Sequence, residues 1–135
     1  MGMRVTISSG LLDRIFAHVA AEPGREVCGL LFGEERHIQD ALPAANVAPD
    51  PARHFEVDPQ TLFTAIRAER AGGARIVGHY HSHPSGDPLP SARDAADAEP
   101  GRLWLILGGG EARLWRSGPG GTVQGVFAPL DLALV

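Results

Sequence analysis

Between Gly78 and Asp94 the chain reads GHYHSHPSGDPLPSARD, which gathers two histidines, a serine and an aspartate at offsets that suit a metal ion. If a β-strand runs through this stretch, His81 and His83 project to one face and Ser82 to the other, because side chains alternate along a strand. At about 3.3 Å per residue the two histidine Cα atoms stand roughly 6–7 Å apart, a spacing from which two imidazole nitrogens can converge on one ion. Ser91 is a natural N-cap. A helix starting there places Asp94 in its first turn, where the carboxylate reaches back over the strand end as a third, anionic ligand. Two histidines and a carboxylate leave tetrahedral zinc one open position for a water, whose pKa falls to about 7. Glu26 supplies what such a centre still lacks, a carboxylate that does not ligate the metal but takes a proton from that water and returns it to a leaving amine.

Several elements must hold these residues. The metal strand grows out of the β-prone run Ala74 to Val77, and Pro84, Gly86, Pro88 and Pro90 then forbid its continuation and force a loop before the Ser91 helix. Glu26 fronts the apolar run to Gly33, which reads as a buried strand with its acid at the entering end. Cys28 shares the face of Glu26 by parity and reads as a small buried hydrophobe near the site. Upstream, Met3 to Ile7 reads as a strand, and Ser8 or Ser9 caps a helix carrying Leu11, Leu12, Ile15, Phe16 and Val19 on one side and stopping near Pro23-Gly24. His18 lies off that apolar stripe and reads as a solvated surface residue. Arg36 to Ala41 and Pro43 to Val47 read as two short β segments around a turn, with His37 exposed, followed by a proline-rich loop over 46–53. His54 to Val57 alternates as a strand, and Asp58-Pro59 opens a second helix that Gly72-Gly73 ends. Leu103 to Leu107 and Ala112 to Trp115 read as a hairpin across Gly108 to Gly110, and a last strand is expected through Val123 to Phe127.

Composition narrows the field. The chain has 135 residues, 44% of them apolar, which is the size of one domain (1–135) with a sizeable core. Twelve basic against 16 acidic residues give a net charge of −4, and no basic run stands out, so a nucleic-acid surface is not expected. Cys28 is the single cysteine, which excludes an internal disulfide or a cysteine-held zinc and fits a reducing cytoplasm. The N-terminal MGMRVTISSG lacks a long apolar segment and no run approaches the ~18–20 residues of a membrane span, so the expectation is an unprocessed soluble protein without membrane partners.

Glu26-x-Cys28-Gly29 upstream, with His81-x-His83, seven residues, Ser91, two residues and Asp94 downstream, resembles the JAMM (JAB1/MPN+/Mov34) metallopeptidases, in spacing and in the order of elements over nearly the whole chain. The resemblance implies an α/β, cytidine-deaminase-like JAMM/MPN fold, a curved mixed sheet with one helix on one face and others opposite. It implies zinc held by His81, His83 and Asp94, Glu26 as acid/base, and Ser91 as a hydroxyl helping to hold the oxyanion. Family members cut peptide or isopeptide bonds, typically after the C-terminal glycines of ubiquitin-like proteins, and a glycine tail laid along an exposed strand edge is the expected mode of recognition. The chain has no room for the insertion that grips ubiquitin in eukaryotic relatives, so a small ubiquitin-fold or sulfur-carrier protein is the expected substrate. His79 departs from the bulky apolar or aromatic residue common in relatives. It shares the face of His81 and His83 and reads as a satisfied core histidine, with a supporting hydrogen bond to a ligand or an extra ligand as alternatives. The 83–94 loop also looks like that of RadC-type proteins linked to DNA repair, but the helix-hairpin-helix module of those relatives is absent. A non-catalytic MPN scaffold normally lacks the ligands kept here.

Overall fold

The computed structural model describes residues 3–135, so the first two residues of the N-terminal stretch lie outside it. The elements are β1 (Arg4–Ile7), α1 (Ser9–Ala21), β2 (Cys28–Glu34), β3 (His37–Ala44), α2 (Pro59–Arg70), β4 (Ile76–Ser82), α3 (Ala92–Asp97), β5 (Leu103–Gly108), β6 (Glu111–Ser117) and β7 (Phe127–Leu134). Ser8 caps α1 by accepting the Leu11 N–H. Asp58 occupies the N-cap of α2, where its carboxylate accepts the Thr61 hydroxyl rather than a backbone N–H.

The strands lie in the order β1-β3-β2-β4-β5-β6-β7 and close into a barrel. The sheet is mixed as expected: β1–β3, β1–β7 and β4–β5 are parallel and the other pairs antiparallel. Its curvature goes as far as closure, which the expectation of a curved sheet did not include. The last strand runs beyond Phe127, not up to it, and pairs Arg4–Ile7 with Asp131–Leu134. The expected Val123 to Phe127 strand is reduced to one bridge between those two residues.

The two faces of the sheet hold different cores. Inward, Val5, Ile7, Leu31, Tyr80, Leu105, Leu107 and Leu114 pack with Leu11 and Ile15 of α1. Outward, Leu30 and Ile76 pack with Ala65 of α2, while Trp104, Ile106, Trp115 and Phe127 pack with Ala95 of α3. A register shift pairs Leu31 with Gly78 but Phe32 with Ile76, skipping Val77. This bulge sends Val77 to the inner core and leaves Ile76 on the outer face with α2.

Two further expectations are corrected. There is no turn between Ala41 and Pro43, since β3 runs unbroken through Pro43, paired to Gly29. β1 reaches β3 only at His37 and Ile38, so the far side of Pro43 has no neighbour and its missing N–H costs no ladder bond. His54 to Val57 is extended but joins no sheet beyond an Asn46–Val57 bridge, because β2 is already flanked by β3 and β4.

Candidate metal centre

β4 delivers His79 and His81 to the outer face, with Tyr80 between them on the inner one, and His83 follows where the strand ends. The backbone stays extended there because the His83 N–H bonds the Leu107 carbonyl at 2.8 Å, after which a turn closes with Gly86 N–H on the His83 carbonyl at 2.9 Å. Gly86 holds φ +88°, a left-handed conformation that favours glycine. α3 is then anchored by a reciprocal cap: Ser91 Oγ accepts the Asp94 N–H at 3.0 Å, and Asp94 Oδ2 accepts the Ser91 N–H at 2.9 Å. Ser91, exposed at the helix start, keeps its hydroxyl hydrogen free of that cap.

These elements bring three donor atoms into a near-equilateral triangle. His81 Nε2 lies 3.1 Å from His83 Nε2, and Asp94 Oδ2 lies 3.4 Å from the first and 3.3 Å from the second. Ligands at about 2.0–2.1 Å around a tetrahedral zinc stand about 3.3 Å apart, so the triangle fits that ion. His83 Nδ1–H donates to the Asp87 carbonyl at 2.7 Å, so that in the neutral ring the Nε2 lone pair faces the other two atoms. His81 is wholly buried, and its Nδ1 meets no hydrogen-bond partner among the described residues.

Electrostatics in the metal-free protein match this arrangement. Burial opposes the Asp94 carboxylate, but hydrogen bonds from His81 and His83 outweigh it and hold the group well below the usual range. Burial depresses His81, whereas His83 is raised because Asp94 and the Asp87 carbonyl outweigh its own burial. The site thus keeps an anion beside two imidazoles, the charge pattern that a divalent cation satisfies.

Glu26, 5% exposed, stands just before β2, and one of its oxygens lies within 4.8 Å of a nitrogen from each of His81 and His83. Burial, opposed by His83 and assisted by Asp94, raises its pKa to about 7, the range that suits a group which both takes and returns a proton near neutrality. Cys28 lies opposite His81 in the β2–β4 register and is fully buried, with Sγ donating weakly to the Ala44 and Ala45 carbonyls. Burial and then Glu26 push its thiol up to about 12, so it is an inert hydrophobe.

Two histidine readings need correction. His18 is not simply solvated, for Nδ1 hydrogen-bonds the Tyr80 hydroxyl at 2.6 Å, α1 crossing the sheet where that ring tip emerges. His79 is not a satisfied core histidine: Nε2 is buried without a partner, Trp104 lies edge-on at 4.2 Å, and burial followed by His81 lowers its pKa to about 3.

Sequence reasoning missed Asn46 and Phe55. Asn46 Nδ2 donates to the Glu26 carbonyl at 2.7 Å and the His54 carbonyl at 2.9 Å, while Oδ1 accepts from Ala48 and Glu56 N–H groups. It thereby ties the 46–57 loop to the acid/base candidate. Phe55, on that loop, stacks on His81 at 4.3 Å. The available signal was an asparagine opening a proline-rich loop, where its side chain substitutes for backbone partners.

The family Prok-JAB, prokaryotic homologs of the JAB domain, matches residues 8–118. A desampylase of Haloferax volcanii is 38% identical over 110 residues, covering 76% of this chain and 79% of that protein. A probable TtuB-protein conjugate cleaving protease of Thermus thermophilus is 35% identical over 107 residues, covering 79% of this chain and 72% of the relative. Among solved structures, protein DSY2949 of Desulfitobacterium hafniense superposes with TM-score 0.79 at 25% identity over 97% of this chain and 92% of its own. AF2198, a JAB1/MPN domain protein of Archaeoglobus fulgidus, shares the fold with TM-score 0.61 at 19% identity, over 98% of this chain and 100% of its own.

Proposed function

The chain belongs to the prokaryotic JAB-domain family, and on that premise we propose that it is a zinc-dependent hydrolase cutting a peptide or isopeptide bond at the C-terminal glycines of a small ubiquitin-fold or sulfur-carrier protein. The observation that carries the reading is the triangle of His81, His83 and Asp94 with the buried Glu26 beside it. The names of the Haloferax and Thermus relatives support the substrate class. One domain over 1–135, in a cytidine-deaminase-like arrangement of sheet and helices, belongs to the same proposal.

His81, His83 and Asp94 would hold the zinc, which when bound supplies Lewis acidity and an activated water at neutral pH. Glu26 takes a proton as water attacks the scissile carbonyl carbon. It then delivers that proton to the departing amine nitrogen as the C–N bond breaks, leaving a carboxylate and a free amine. The Ser91 hydroxyl donates to the oxygen on which negative charge develops. Asp87 fixes the tautomer of His83, and Phe55 shields His81 from water.

The free edge of the sheet lies on β3 beyond Ile38, where β1 no longer pairs with it. Extended backbone beside the site comes instead from the 54–57 segment, where the backbone of Phe55 makes no hydrogen bond among the described residues. A glycine tail pairs there, because only glycines let two backbones approach beside a metal centre without a side-chain clash.

The test is mass spectrometry of products from carrier conjugates and linear fusions incubated with zinc-loaded protein. Cleavage after the terminal glycine, abolished by bulky residues in place of the glycines, is the expected result. Ubiquitin chains cut as fast as a carrier conjugate would contradict the substrate class.

A further inference from the structure

Glu26 stands outside the sheet that orients its neighbours. At Val27 the backbone is already held by β4, with Ser82 Oγ accepting the Val27 N–H at 3.0 Å and the Ser82 N–H reaching the Val27 carbonyl at 3.1 Å. One residue earlier that support is absent. The Glu26 N–H donates to the Pro51 carbonyl at 2.7 Å and the Glu26 carbonyl accepts from Asn46 Nδ2 at 2.7 Å, so both backbone groups rest on the 46–57 loop. The Glu26 carboxylate, within 4.8 Å of nitrogens from His81 and His83, makes no hydrogen bond among the described residues, so its place is set through the backbone that carries it.

Within that loop Asn46 ties the separate pieces together. Besides the Glu26 carbonyl, Nδ2 donates to the His54 carbonyl at 2.9 Å, while Oδ1 accepts the Ala48 N–H at 3.0 Å and the Glu56 N–H at 3.1 Å. A side-chain amide offers two N–H donors and an oxygen with two lone pairs, and here all four are used. Two carbonyls meet its nitrogen and two N–H groups its oxygen, which fixes how the amide is turned. The same side chain therefore anchors Glu26 and, through His54 and Glu56, both flanks of Phe55, beside which the substrate tail is proposed to pair.

Anchoring of this kind bears on rate. A base works when held within about 0.5 Å of its productive place, and a misplacement of about 1 Å can cost about 10²-fold. We infer that Asn46 is a positioning residue for the hydrolysis: it fixes Glu26 against the 54–57 segment, so that the base and the scissile carbonyl of a bound tail keep one relative geometry. The inference rests on the hydrolase reading above.

Crystal structures and a kinetic cycle test it. Asn46→Asp keeps both acceptor contacts but sets an oxygen against the Glu26 and His54 carbonyls, and Asn46→Ser removes the amide without adding charge, so the test does not depend on one variant folding. In the crystal the Glu26 carboxylate should move by about 1 Å in either variant, while the donor atoms of His81, His83 and Asp94 stay where they are in the wild type. Single-turnover cleavage of a carrier conjugate at saturating protein should slow about 10–100-fold when Glu26 is present, and no more than about twofold in the Glu26→Gln background. Saturation takes tail binding out of that rate. A carboxylate that keeps its place, an undiminished rate, or equal losses in the two backgrounds overturns the inference. A wild-type protein that cuts no conjugate refutes the hydrolase reading instead, and the crystallographic comparison decides the placement of Glu26 without any turnover.

Discussion

The two faces of β4 carry opposite kinds of burial. Tyr80 faces inward among Leu31, Leu105 and Leu114, and its one polar atom is matched by His18. His79 and His81 face outward, equally walled by aromatic rings, yet each leaves a ring nitrogen without a protein partner. Burying polar atoms unpaired costs free energy, and the metal proposed at His81 Nε2 leaves the Nδ1 of that ring unmatched. Polar atoms are thus matched on the inner face and left unmatched on the outer one, although both faces are built from alternate residues of one strand.

Four predictions would break or sharpen that contrast. The largest effect is expected for Glu26→Gln, an outer-face change that should retain zinc but cut the rate by about 10²–10⁴, as read by single-turnover cleavage of a carrier conjugate. Loss of metal in that variant would make Glu26 a ligand instead. On the inner face, Leu105→Ala should cost about 2–5 kcal/mol in urea unfolding while activity per folded molecule is kept, since Leu105 is fully buried on the side of the sheet opposite the ligands.

A third prediction uses pH. In metal-free protein the Glu26 carboxyl titrates near 7 rather than at its ordinary 4.5, so the folded state binds more protons between those values. Stability is then full below about pH 4.5 and falls as pH rises through 7, by about 3 kcal/mol in all. Glu26→Gln should remove this slope and leave the metal-free variant the more stable of the two at pH 8. Equal unfolding midpoints for the two proteins at pH 8 would argue that Glu26 is not held at a cost. The smallest effect is expected for Tyr80→Phe, about 1 kcal/mol, because water can replace the lost hydroxyl at the half-buried His18.

What was legible in the sequence was local. His81 and His83 are two residues apart on one strand, and Ser91 and Asp94 three apart at a helix start, so periodicity and capping chemistry suffice to place them. Glu26 was placed by its position in front of an apolar run. Barrel closure was not legible, since it needs Val5 to pair with Leu132 across almost the whole chain. Nor was the 54–57 segment, whose alternation suits a strand but which finds no free partner in the sheet. The partners of His18 and Asn46 likewise lie far along the chain or in an irregular loop, where no period announces them.

The central claim is that the outer end of β4 and the first turn of α3 hold one metal ion, and elemental analysis of protein purified without chelator tests it most directly. Wild type and Glu26→Gln should each carry about one zinc per chain, and His83→Ala and Asp94→Ala close to none while remaining folded by circular dichroism. A wild type without stoichiometric metal, or His83→Ala and Asp94→Ala proteins that keep it undiminished, would contradict the account.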